Sequence, residues 1–155
     1  MQGDTMTATE PPEHVKILFV DDDDAVRMLV TRVLTRAGHS VAAFMDATQA
    51  LEALQTASFD LAILDKNLPS MDGFTLARQV METHPAMAVA MITAAAERLS
   101  PQDAGLLDAY LGKPFRDLAE ISAVVPRAMA ARRGKVARAQ LNSDLEALQL
   151  SLGKS

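Results

Sequence analysis

The chain predicts an α/β fold built on a doubly wound parallel sheet. Five short apolar runs alternate with segments of helical periodicity along nearly its whole length, the pattern that lays crossover helices on both faces of a parallel sheet. The runs are apolar without interruption, as strands covered on both faces must be. Several lead directly into a residue that carries chemistry: Asp21, Asp65, Thr93 and Lys113. Open α/β sheets gather ligands beyond the carboxyl ends of their strands.

Residues 1–13 (MQGDTMTATEPPE) are polar and aperiodic and read as a disordered tail. Val15 to Val20 is the first strand, followed by Asp21, Asp22, Asp23 and Asp24. Val26, Leu29, Val30 and Val33 recur at helical spacing, and Gly38 stops that helix. Val41 to Met45 is the second strand, and Asp46 with Gln49 three residues on opens a helix to about Gln55. Leu61 to Leu64 is the third strand, ending on Asp65, with Pro69 marking the loop beyond. Asp72-Gly73 leads into a helix that stops before His84-Pro85. Ala86 to Ile92 is a fourth strand running into Thr93-Ala94, and Ala109 to Leu111 a short fifth before Lys113-Pro114-Phe115. A helix from about Asp117 closes the domain.

At 155 residues the chain holds one domain of ordinary size. It is 49% hydrophobic but only 4% aromatic, so its core is aliphatic and methionine-rich. A formal charge of −5 argues against a general nucleic-acid or anionic-membrane binder. The absence of cysteine excludes disulfides and thiolate metal sites and agrees with a reducing compartment. No apolar run approaches the roughly 20 residues that span a bilayer, and the chain reads as soluble and cytoplasmic. His14, His39 and His84 are scattered at element edges and suggest no metal or relay site.

Four consecutive aspartates need a reason, because carboxylates held together repel one another. Asp23 and Asp24 suit the first helix start, where the dipole welcomes negative charge. That leaves Asp21 and Asp22 at the strand end, where neighbouring strands bring Asp65 to them. Oxygen ligands without Cys or His suit a hard ion such as Mg²⁺. Lys113 offers positive charge to phosphoryl oxygens and Thr93 a hydroxyl. Asp65 as a mere helix cap is the competing reading.

ILFVDDDDAVR, LAILDKNLPSMDGF, MAVAMITA and YLGKPF, in that order, resemble the successive signatures of the response-regulator receiver domain, the fold of the chemotaxis response regulator. The resemblance covers residues 14 to about 130 and implies a flavodoxin-like sheet in strand order 2-1-3-4-5 with flanking helices. It further implies a phosphoacceptor in a bacterial two-component pathway, not a conventional enzyme. Carried over by position, Asp65 accepts the phosphoryl group from a histidine kinase or phosphotransfer protein. Asp22 binds Mg²⁺ directly with Asp21 beside it, and Asn67 supplies a backbone carbonyl. Thr93 and Tyr110 are the switch residues, and Lys113 the phosphate partner. Two other readings are a pseudo-receiver that only binds partners and a Mg²⁺-dependent aspartyl-phosphate hydrolase. The hydrolase class wants a second aspartate where Asn67 stands.

Three features depart from the family pattern. Ser100-Pro101-Gln102-Asp103 is a helix start that comes late, so Ala94 to Leu99 becomes a long loop or frayed turn and the fourth helix only one or two turns. Pro126 should kink or break the fifth helix. Residues 132–155 lie beyond a bare receiver (14–131) and read as a basic linker and a short C-terminal helix. The basic run of Arg127, Arg132, Arg133, Lys135 and Arg138 suits either a solvated face or an acidic partner. Leu141, Leu145, Leu148 and Leu152 follow a 4-3-4 spacing, which suggests a homodimer through this helix if not through helix 4, strand 5 and helix 5. Residues 132–155 are too few for a nucleic-acid-binding or catalytic effector domain.

Overall fold

The computed structural model describes residues 13–94 and 99–153. Residues 1–12 of the expected 1–13 tail and the middle of the expected loop, residues 95–98, lie outside the described residues. The elements in chain order are β1 (Lys16–Val20), α1 (Asp24–Arg36), β2 (Ser40–Phe44), α2 (Ala47–Thr56) and β3 (Leu61–Asp65). They continue with α3 (Gly73–Thr83), β4 (Ala88–Thr93), α4 (Pro101–Leu106), β5 (Ala109–Gly112) and α5 (Leu118–Gly153). The strands form one parallel sheet in order β2-β1-β3-β4-β5, the order the resemblance implied. Val20 pairs with Leu64, Asp65 with Ile92 and Thr93 with Gly112. This register brings the carboxyl ends of the central strands to one edge.

Strand side chains alternate between two apolar layers. Leu18, Val20, Ala62, Leu64, Val89 and Met91 pack against α2 and α3 through Ala50, Leu54, Leu76 and Val80. Ile17, Phe19, Leu61, Ile63, Ala90 and Ile92 pack against α1 and α5 through Val30, Leu34, Ile121, Val124 and Ala128. Every residue of β3 and β4 is buried, which is why those segments read as unbroken apolar runs.

Helix starts follow the capping residues. Asp23 caps α1, accepting from the backbone N–H groups of Ala25 and Val26, and Asp24 lies in its first turn. Asp46 accepts from Gln49 N at α2, Asp72 from Phe74 N at α3 and Ser100 from Asp103 N at α4. Gly38 takes a positive φ of 99° just past α1, a conformation that glycine adopts without a Cβ penalty. α4 is short, as its late start requires.

The structure corrects the reading of the C-terminal third. Pro126 does not break the last helix, and no linker separates residue 131 from residue 132: α5 is one helix of 36 residues. Pro126 is exposed, so the carbonyl left without its intrahelical donor can bond water. Val124, Val125 and Ala128 on the opposite side are buried and hold the helix in place. Nor is the basic run simply solvated. Arg132 is buried and pairs with Asp108, whose carboxylate also takes Lys135 at 3.1 Å. Among the described residues, no helix is long and apolar enough to cross a membrane.

Candidate functional site

β1 runs straight into Asp21, which is fully buried. Its backbone N–H donates to Phe44 O at 3.1 Å and its carbonyl accepts from Arg27 Nη1 at 2.8 Å. Its Oδ1 accepts from Asp23 N at 2.9 Å. The residue is thus held at three points, two on its backbone and one on its side chain, before any ligand arrives. Asp65 ends β3 and is also buried. It caps nothing, because Asp72 caps α3. Asp22 is exposed at the mouth, and one oxygen from each of Asp21, Asp22 and Asp65 lies within 4.8 Å of the others.

Lys113 reaches over from the end of β5. Its Nζ is 3.2 Å from Asp21 Oδ2 and 3.5 Å from Asp65 Oδ1. One ammonium faces three carboxylates, so the site keeps an excess of negative charge. Asp21 Oδ2 is buried and, apart from that ion pair, makes no well-formed hydrogen bond. An oxygen-only donor set with surplus charge and an underused buried oxygen fits a hard divalent cation of the Mg²⁺ kind.

The electrostatics follow from burial and neighbours. Burial raises the Asp65 carboxyl above its usual range and the charge of Asp21 raises it further. Lys113 and the backbone N–H of Asn67 pull in the opposite direction without prevailing. Burial alone would lower Lys113, but the charges of Asp21 and Asp65 outweigh it and hold the ammonium above the ordinary lysine range. Asp65 is a carboxylate held at some cost by burial and repulsion, a state that added positive charge would relieve.

Thr93 is buried at the end of β4, and its carbonyl accepts from Lys113 N at 3.0 Å. Asn67 is exposed in the loop after β3, bridged to Asp72. Tyr110 stands half exposed on β5, and its carbonyl accepts from Arg127 Nη2 at 3.2 Å. Asp21, Asp22, Asp65 and Lys113 therefore form one cluster, with Thr93 on the same edge and Tyr110 and Asn67 at its periphery.

Two contributors escaped the sequence reading. At Gly73 a Cβ would fall on the carbonyl oxygen of Asp65, so only glycine lets the start of α3 lie against the strand end. The Gly73 N–H donates to Lys66 O at 2.7 Å. The Asp-Gly pair signalled a helix start but not this close approach. Arg27, which orders the Asp21 backbone, stood in the ILFVDDDDAVR signature without an assigned role.

The chain has known relatives. The response regulator receiver domain family matches residues 17–125. The DNA-binding transcriptional regulator NtrC of Klebsiella pneumoniae is 38% identical over 115 residues, which is 72% of this chain and 24% of NtrC. The regulatory protein VanRc of Enterococcus gallinarum is 40% identical over 112 residues, 70% of this chain and 48% of VanRc. The chain thus spans less than half the length of either of these two relatives. Among solved structures, the chemotaxis response regulator CheY4 of Vibrio cholerae superposes with a TM-score of 0.68 at 28% identity, covering 75% of this chain and 99% of CheY4. Sheet order, the strand-end cluster and these matches agree: the chain belongs to the response regulator receiver domain family of two-component signalling.

Proposed function

We propose that Asp65 is the phosphoacceptor of this receiver, taking a phosphoryl group from the phosphohistidine of a sensor kinase or phosphotransfer protein in the cytoplasm. The observation that carries this reading is the Asp65 carboxylate, buried at a strand end with Lys113 Nζ at 3.5 Å and Asp21 and Asp22 beside it. A carboxylate oxygen of Asp65 attacks phosphorus as the phosphorus–nitrogen bond to the donor imidazole breaks in line. Asp21, Asp22, Asp65 and the Asn67 carbonyl would hold Mg²⁺, which when bound neutralises charge on the transferring group. Lys113 balances the anionic oxygens after transfer, and the Thr93 hydroxyl donates to one of them.

Val26, Leu29, Pro114 and Phe115 line an apolar groove beside Lys113, and this supports docking of the donor there. Phosphorylation changes the charge at Asp65, and Thr93 and Tyr110 pass that change to the surface of α4, β5 and α5. The test is incubation with Mg²⁺ and acetyl phosphate followed by intact-mass measurement. A single phosphoryl adduct that Asp65→Asn abolishes is expected. Turnover of assorted phosphate esters would instead indicate a hydrolase, and no adduct a pseudo-receiver.

A further inference from the structure

α5 outruns the domain it belongs to. Its first part is packed through Ile121, Val124, Val125, Ala128 and Arg132. Lys135 closes that part by donating to the carbonyls of Leu107 and Gly105 at 2.8 and 3.1 Å. From Val136 to Gly153 every residue is exposed. An isolated helix of that length is marginal in water, and most helices owe their stability to an apolar face packed against something.

Such a face is present. Leu141, Leu145, Leu148 and Leu152 are 65%, 51%, 55% and 66% exposed. Leu141 and Leu148 are one heptad apart, as are Leu145 and Leu152, giving d, a, d and a positions of a coiled-coil seam. At 3.6 residues per turn the stripe lies on the order of 140° around the helix from the face that meets the sheet. The chain's own domain cannot cover it without breaking α5.

A second copy can. We infer that this stripe pairs with the same stripe of another chain in a parallel two-stranded coiled coil, an interaction that goes beyond the phosphoacceptor reading and does not depend on it. With the sheet on the far side of each α5, the two domains sit on the outer flanks of the pair and do not collide. The seam's flanking positions are Asn142, Asp144, Gln149 and Ser151. They bring no like charges together, and Asp144 faces Gln149 of the second copy across the parallel seam. Arg138 occupies the next a position upstream. A charged residue there costs stability and favours two strands, in which its long side chain still reaches water.

Leucines at these exposures offer on the order of 100 Å² each, so joining two stripes removes on the order of 800 Å², below the roughly 1,200 Å² of the smallest standard interfaces. The dimer is therefore weak and reversible, half formed between roughly 10 µM and 1 mM chain. Sedimentation velocity across that range should show a monomer–dimer equilibrium. Leu145→Asp and Leu148→Asp should each raise the dissociation constant at least tenfold, while Leu150→Asp, at an f position, should leave it unchanged. All these positions are exposed, so an unchanged thermal melt at low concentration verifies the fold of each variant.

The chain lacks cysteine, so Leu141→Cys gives a clean orientation test. Oxidation should yield a symmetric disulfide dimer, since antiparallel pairing would hold the two positions about 16 Å apart along the helix. A monomer at every concentration, a dimer indifferent to both seam substitutions, or no Leu141→Cys disulfide would each overturn the proposal.

Discussion

Asp108→Ala should destabilise the chain by about 3–5 kcal/mol, the cost of stripping one partner from a buried ion pair. The Asp108 side chain is 0% exposed. It accepts from Val89 N at 2.8 Å and Arg132 Nε at 3.0 Å, and it pairs with Arg132 Nη2 at 2.9 Å and Lys135 Nζ at 3.1 Å. Without it, Lys135 keeps two backbone carbonyls and is one-third exposed, so its share is small. Arg132 is different: its side chain is 10% exposed, and Pro85 O at 3.4 Å would be its remaining acceptor. The penalty therefore sits on Arg132. At about 3 °C per kcal/mol for a chain of this size, the melting temperature should fall by roughly 10–15 °C.

Urea denaturation followed by circular dichroism, with an unchanged m-value, gives the free energy directly. Arg133→Ala, which removes an exposed pair with Glu13 at 3.2 Å, should cost below about 1 kcal/mol. Asp108→Asn with Arg132→Met keeps an acceptor for Val89 N and removes the stranded cation, so it should recover most of the loss. A loss under about 1 kcal/mol in Asp108→Ala, or a double variant no better than the single, would refute the reasoning.

Gly73→Ala forces a Cβ against the Asp65 carbonyl. It should cost about 1–3 kcal/mol in denaturant melts and slow acetyl phosphate labelling, because the strand end must shift. In metal-free buffer the Asp65 carboxyl should titrate above the ordinary carboxylate range, because burial and the charge of Asp21 raise it, and carboxyl-carbon NMR across pH checks this. Lys113 opposes that rise, so in Lys113→Met the metal-free midpoint should move to still higher pH. Asp65 also binds its proton more tightly folded than unfolded, so its ionisation costs stability. That cost is absent below the ordinary carboxylate pKa and complete above the raised one, so stability declines as pH rises through the window. Denaturation of Asp65→Asn across that window should lack this decline and show higher stability than the parent at neutral pH.

Much of the fold was legible because its determinants are local. Asp46, Asp72 and Ser100 each cap the helix they precede, and β3 and β4 announce their burial by composition. The chemical residues were legible because they stand where apolar runs stop. That Lys113 meets both Asp21 and Asp65 follows from parallel order once β1, β3 and β5 share an edge. What stayed hidden depends on distant partners. Arg132 and Lys135 read only as part of a basic run, solvated or turned to an acidic partner, because Asp108 lies far off in the chain, before β5. Gly73 read as a helix start because its crowding comes from Asp65, across a loop. Pro126 read as a break because residue type alone does not say which side of a helix faces water.

The account rests on Asp65, and borohydride trapping tests it most directly. Labelling with acetyl phosphate and Mg²⁺, followed by reduction, converts an aspartyl phosphate to homoserine at the residue that carried it. Peptide mass analysis should then find homoserine at position 65 and leave Asp21 and Asp22 unchanged. Homoserine at either of those two aspartates, or at none of the three while the protein stays folded, would contradict it.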